Sequence, residues 1–165
     1  MFLCFMPSSP ESIRDRFAEV HTHSIDTPQT SRNIFIQYLS PDSQLTRQYL
    51  IHGDQWMLEG DIVKWDNWLN FLGLETRYRF TRLRGRYLST EEEISRSPSI
   101  YSLVPREKDP FWGFLYRHGY QFPFISTVYG NAVFQLNGNN KNYMVYVSTS
   151  GFVVREKQEA ERKAP

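Results

Sequence analysis

The sequence predicts a mainly β fold: a curved antiparallel sheet or partly open barrel, with two or three short helices. Three observations lead there. Aromatic residues make up 16% of the chain, and rings bury large areas and favour strands. Short apolar runs recur between breaks such as Ser40-Pro41-Asp42-Ser43, Gly53-Asp54 and Asn137-Gly138-Asn139-Asn140. Two runs change their apolar parity midway, which a period-2 strand tolerates only with an inserted residue that bends it.

The elements follow in order. Ser9-Pro10-Glu11 has the chemistry of a short helix start, with Ser9 as cap and Pro10 in the first turn. Phe17 to Ile25 admits a strand on a weak pattern, and Asp26 to Arg32 is polar, contains Pro28 and reads as a loop. Ile34 to Leu39 and Gln44 to His52 are strands around the Pro41 turn. Gln55 to Trp65 is a third strand. In it Trp56, Leu58 and Ile62 share one parity and Val63 and Trp65 take the other, which predicts a bulge or bend between Gly60 and Val63. Asp66 to Gly73 gives one or two helical turns, capped by Asp66 or Asn67 and ended by Gly73.

Thr76 to Tyr87 is a strand with five arginines, Arg77, Arg79, Arg82, Arg84 and Arg86. Tyr78 and Phe80 share a parity that Leu83 and Tyr87 leave, so a second bulge belongs near Thr81-Arg82; it would set all five arginines on one face. Ser89 to Ser97 is a short exposed helix or loop, and Ser97 to Lys108 is irregular. Asp109 to His118 carries the clearest helix signals: Asp109 as cap, Pro110 at the first position and Gly119 as terminator. Tyr120 to Gly130 is aromatic and holds Pro123. Asn131 to Leu136 and Asn142 to Thr149 flank the 137–140 turn as a hairpin, and Phe152 to Arg155 follows the Ser150-Gly151 break. The domain organisation expected is a partly disordered leader over 1–32, one β-rich domain over 33–155 and a charged tail over 156–165.

The formal net charge is +1, so no global field draws the chain to nucleic acid or anionic lipid. The single cysteine, Cys4, excludes an internal disulfide and a thiolate metal site. The apolar start MFLCFM stops at Pro7, short of the ~20 residues a membrane span requires, and it lacks the basic opening of a signal peptide.

The candidate chemistry is weighed residue by residue. The arginine strand could track a phosphate backbone, giving a nucleic-acid-binding module over 77–86. A cross-strand ion ladder with Glu59 and Asp61 is the plainer reading, and the near-zero net charge favours it. His21 and His23 share one face of a strand and could hold a metal with His52 or Asp54. There is no HExxH pattern, and surface or packing roles account for both, so no metal and no cofactor is expected. His118 suits the end of its helix as a cation on the dipole. Asp54, Glu59, Asp61 and Asp66 could supply a carboxylate pair for a small hydrolase. No GxSxG surrounds Ser150. Trp56, Trp65, Trp68 and Trp112 read first as core, and second as an exposed aromatic groove for an apolar ligand or a membrane surface.

The pattern GDQW…GDIVKW…WLNFLGLETRYR…RLRGRY, with PFISTVYGNA and YMVYVSTSGFVV downstream, resembles a group of uncharacterised proteobacterial envelope proteins. These often carry a cation or multidrug efflux pump label. The resemblance covers about residues 34 to 155 and centres on Trp56, Trp65, Gly73-Leu74, Tyr78-Arg79 and Gly85-Arg86-Tyr87. It implies a soluble domain facing the periplasm behind an N-terminal membrane anchor. It implies no transport, which needs spanning helices, and no catalytic residue.

The function expected is therefore a non-enzymatic, envelope-associated interaction or ligand-binding domain, with an envelope protein or lipid surface as partner. Arg77, Arg79, Arg82, Arg84, Arg86, Trp65 and Trp112 are its candidate contact residues. The expected location is the envelope or periplasm if an anchor or signal lies upstream, and the cytoplasm otherwise.

Overall fold

The computed structural model of the chain describes residues 17–24, 32–41, 45–70, 72–73, 76–104, 110–137, 140–148 and 150–157. Strands dominate them. In chain order they are β1 (Phe17–Ser24), β2 (Asn33–Leu39), β3 (Thr46–His52), β4 (Gln55–Trp65), β5 (Arg77–Arg86), β6 (Ile100–Ser102), β7 (Ile125–Leu136), β8 (Lys141–Ser148) and β9 (Gly151–Glu156). The helices are α1 (Asn67–Asn70), α2 (Thr90–Ser95) and α3 (Pro110–His118), the last followed by a 3-10 turn over Gly119–Gln121.

Two antiparallel sheets result, and they do not close into a barrel. The first has the order β3-β2-β1-β8-β9 and the second β6-β5-β4-β7. Alternation makes each strand one-sided. Ile34, Ile36 and Tyr38 of β2 are buried, as are Tyr143, Val145 and Val147 of β8, while their neighbours in sequence are half-buried. These side chains meet Trp56, Leu58, Ile62, Phe80 and Leu83 of the second sheet in one core. The Trp56 and Tyr143 rings lie 5.4 Å apart across it, and those of Phe80 and Phe152 4.8 Å apart. The sheets approach each other closely at two glycines. A Cβ on Gly60 would strike the Arg79 carbonyl and the Phe152 ring, and one on Gly85 would strike the His52 carbonyl and the Ile51 side chain.

The fold is mainly β with short helices, as the sequence predicts, but several elements differ. β1 falls in the stretch assigned to a leader, yet it is the central strand of the first sheet, with Ala18, Val20 and Thr22 fully buried. Its alternation is diluted by His21, Thr22 and neighbouring polar residues, which hides the pattern. The 97–108 stretch is not wholly irregular: β6 pairs with β5 through three residues, too few for a visible period. The aromatic run before Asn131 is in large part strand, since β7 begins at Ile125, just past Pro123. The 137–140 turn joins no hairpin. β7 pairs with β4 and β8 with β1 and β9, so the turn carries the chain from one sheet to the other, as Gly53-Asp54 does between β3 and β4. Gly138 and Asn139 of that turn lie outside the described residues, as do the Ser9-Pro10-Glu11 start and Asp109.

The two parity faults resolve in different ways. In β5 the register places Glu59 opposite Arg82 and Gly60 opposite Phe80, so Thr81 is the inserted residue, where the second bulge was expected. The Thr81 hydroxyl donates to the Glu59 carbonyl (3.3 Å), and its own carbonyl accepts from the Leu103 N–H (2.9 Å). In β4 no residue is inserted between Gly60 and Val63, because each pairs in turn with Asn131, Gly130, Tyr129 and Val128 of β7. Val63 and Trp65 simply point to the outer face. There α3 covers them with Trp112 and Leu115, beside Ile125. A strand buried on both faces needs no bulge to keep apolar residues of both parities from water.

Candidate functional site

The outer face of the second sheet gathers most of the residues singled out from sequence. The Thr81 bulge sets Arg77 and Arg79, and then Arg82, Arg84 and Arg86, on this one face. Glu59 and Asp61 of β4 alternate onto the same face, directly across the ladder. Arg79 Nε donates to Asp61 Oδ2 at 2.8 Å, and Arg82 Nη2 lies 2.5 Å from Glu59 Oε2. Arg84 Nη2 reaches Glu93 Oε1 of α2 at 2.6 Å. The other two guanidinium groups lie over rings: Arg77 over Phe111 at 5.7 Å and Arg86 over Phe134 at 5.0 Å. The strand is an ion ladder with aromatic ends, so most of its charge is answered within the domain.

Helix α3 is pinned at one end of this face. Pro110 opens it without an N–H to satisfy, and Gly119 follows its last residue. Trp112 and Leu115 pack on Val63 and Trp65. The Arg79 guanidinium lies 4.7 Å from the centre of the Trp112 ring. The Tyr116 hydroxyl donates to Asp61 Oδ1 at 2.7 Å, so Asp61 holds both the neighbouring strand and the helix. Burial first, and then this hydrogen bond, push the Tyr116 phenol up to about 12.

The register brings three chain segments to the same end. Trp65 stands opposite Ile125 and Val63 opposite Arg77, so α1, the 119–124 turn and the start of β5 all meet there. Backbone bonds fix the junction: Asp66 N–H to the Phe124 carbonyl (3.0 Å), Phe122 N–H to Gly119 (3.2 Å) and Ile125 N–H to Phe122 (3.1 Å). The rings form a chain of contacts, with Phe114 to Phe122 at 5.6 Å, Phe122 to Phe124 at 5.2 Å and Phe114 to His118 at 5.2 Å. This chain faces water. Phe114 is 48% exposed and Phe124 37%, and at the same end of the sheet Trp68 is 57%, Leu72 71% and Tyr120 82% exposed.

Of the sequence-predicted contact residues, Trp112 is buried under α3 and Trp65 is half-buried against it; both support the end and neither presents it. Trp68, read from sequence as core, is exposed instead. Phe114, Phe124 and Leu72 were not singled out at all. A signal for them exists in α3: Phe111, Trp112, Phe114, Leu115 and Tyr116 are too many apolar residues for one packed face, so a helix this apolar must show rings outward or be covered.

The other candidates are occupied. His21 Nδ1 pairs with Asn142 Oδ1, and His52 Nδ1 lies 2.5 Å from Asn33 Oδ1. No group of three metal-ligating residues stands together among the described residues. Asp54 accepts from Arg32 (2.8 Å) and from the Leu88 N–H (3.0 Å). No helix among the described residues is long and apolar enough to cross a membrane. The chain matches no family model, no curated protein and no solved structure.

Proposed function

We propose that this chain is a non-enzymatic, envelope-associated interaction domain whose contact surface is the aromatic end of the second sheet. The observation that carries the reading is the ring chain Phe114–Phe122–Phe124, exposed at both ends, at the same end of the sheet as exposed Trp68 and Leu72. Contiguous exposed rings of this kind mark contact surfaces, whereas apolar residues scattered singly do not. The envelope enters through the sequence resemblance and the partner class through the rings. A hydrolase built on these acids would need two carboxylates facing each other, and here Glu59, Asp61 and Asp54 each face a cation. A nucleic-acid module would need Arg79, Arg82 and Arg84 to exchange their acids for phosphates.

Fractionation of cells that carry the tagged chain tests the reading. The chain is expected with the envelope, and the Phe114→Ser/Phe124→Ser variant in the soluble fraction. Equal partition of the two proteins would overturn the assignment of the contact surface.

A further inference from the structure

We infer that the aromatic end docks on the interface of a bilayer containing anionic lipid, which names the partner of the surface proposed above and rests on that reading. The first argument is residue type. Tryptophan and tyrosine favour the zone between headgroups and chains, where an apolar ring is buried while a polar tip stays wet, and phenylalanine and leucine enter the acyl boundary below it. Trp68, Phe114, Phe124 and Tyr120 are the exposed rings here, and Leu72 adds an apolar tip. The second argument is charge. Arg77 and Arg117 are exposed at this end, Arg77 over the Phe111 ring and Arg117 in the final turn of α3. Asp61 is taken up by Arg79 and Tyr116. Asp66, the other described acid of this end, is half-buried at the α1 junction. The rim therefore suits phosphate headgroups above the chains that receive the rings.

The third argument is the scarcity of polar partners. A protein interface carries about one hydrogen bond per 100–200 Å². At this end the Tyr116 hydroxyl is bonded to Asp61, the Tyr120 hydroxyl accepts from Gln121 (3.0 Å), and the backbone groups of the turn bond one another. Among the described residues, rings and cations outnumber the free polar groups, which are the Tyr120 O–H and the exposed amides of Asn67 and Gln121. The 119–125 turn is also tied by backbone bonds within itself and to the α1 junction, so its rings need little further ordering.

The test uses the whole purified chain and protein-free vesicles of phosphatidylcholine, alone or mixed with phosphatidylglycerol. Flotation should show binding to the mixed vesicles that weakens as salt rises, and brominated acyl chains should quench Trp68, a signal absent in Trp68→Phe. Phe114→Ser/Phe124→Ser should abolish binding with its melting midpoint close to that of the parent. Arg77→Gln/Arg117→Gln should weaken binding by about thirtyfold. No binding to mixed vesicles, or binding that ignores the ring substitutions, would overturn the lipid assignment. If the rings still govern envelope fractionation while vesicles are ignored, the partner is a protein and only this inference falls. If fractionation is also indifferent to the rings, both fall.

Discussion

The second sheet has two ends that solve the same problem in opposite ways. At the turn between β3 and β4, polar groups close on one another. Asp54 takes Arg32 and the Leu88 N–H, Glu92 takes Arg32 and Arg96, and Glu93 takes Arg84 and the Tyr87 N–H. Exposed Leu88, Ile94, Ile100 and Leu136 lie there too, on separate elements and with no ring among them. At the far end, α3 buries Trp112 and Leu115 and leaves Phe114 outside, touching Phe122, which touches Phe124. The first end pairs its charged groups internally, although the Gln55 and Asn137 side-chain oxygens and the Trp56 indole N–H, all buried there, have no hydrogen-bond partner among the described residues. The second has apolar surface that nothing in the described chain covers. The two ends of one sheet thus differ in what they leave exposed: paired charges at one, aromatic rings at the other.

The comparison can be broken most severely through the side chain that holds α3 down. Trp112→Ala removes a buried indole and should cost about 3–5 kcal/mol in urea unfolding. It should also loosen the ring platform, so that docking and stability fall together. At the ion-paired end, Glu93→Gln weakens the Arg84 pair and the charge-assisted bond from Tyr87 N–H. A loss of about 1 kcal/mol is expected, with vesicle binding unchanged.

Tyr116 sharpens the contrast through pH. Its folded-state pKa of about 12 stands above the ordinary value of 10, so the phenol stays protonated in the folded chain while the unfolded chain ionises. Its contribution is fully present below pH 10 and is lost as pH rises from 10 to 12. Alkaline unfolding followed by circular dichroism should show this loss, and Tyr116→Phe should show a shallower decline over the same window. A variant that parallels the parent would place the alkaline sensitivity elsewhere. Phe114→Ser is the mildest change to the fold, within about 0.5 kcal/mol because the ring is half in water, and it should still weaken docking.

Much of this architecture is legible in the sequence because local chemistry decides it. The Thr81 bulge follows from the parity change between Phe80 and Leu83, and the start of α3 from Pro110 and its end from Gly119. The ladder of Arg79 and Arg82 with Asp61 and Glu59 follows from charge and antiparallel pairing. What was hidden depends on partners distant in sequence. β1 is central because β2 and β8 flank it, although its own residues alternate weakly. The 137–140 turn looks like a hairpin turn, and only the prior claim of β4 on β7 sends it to the other sheet. Val63 and Trp65 mimic a fault in β4 because a helix some fifty residues later covers them. The exposure of Trp68 and Phe114 was beyond reach for the same reason: composition counts rings, and tertiary packing decides which of them remain outside.

Hydrogen exchange with and without phosphatidylglycerol-containing vesicles compares the two ends in one experiment. The account predicts added protection in residues 111–124 and 66–70, with 86–96 unchanged. Protection at the ion-paired end instead, or at neither, would contradict it.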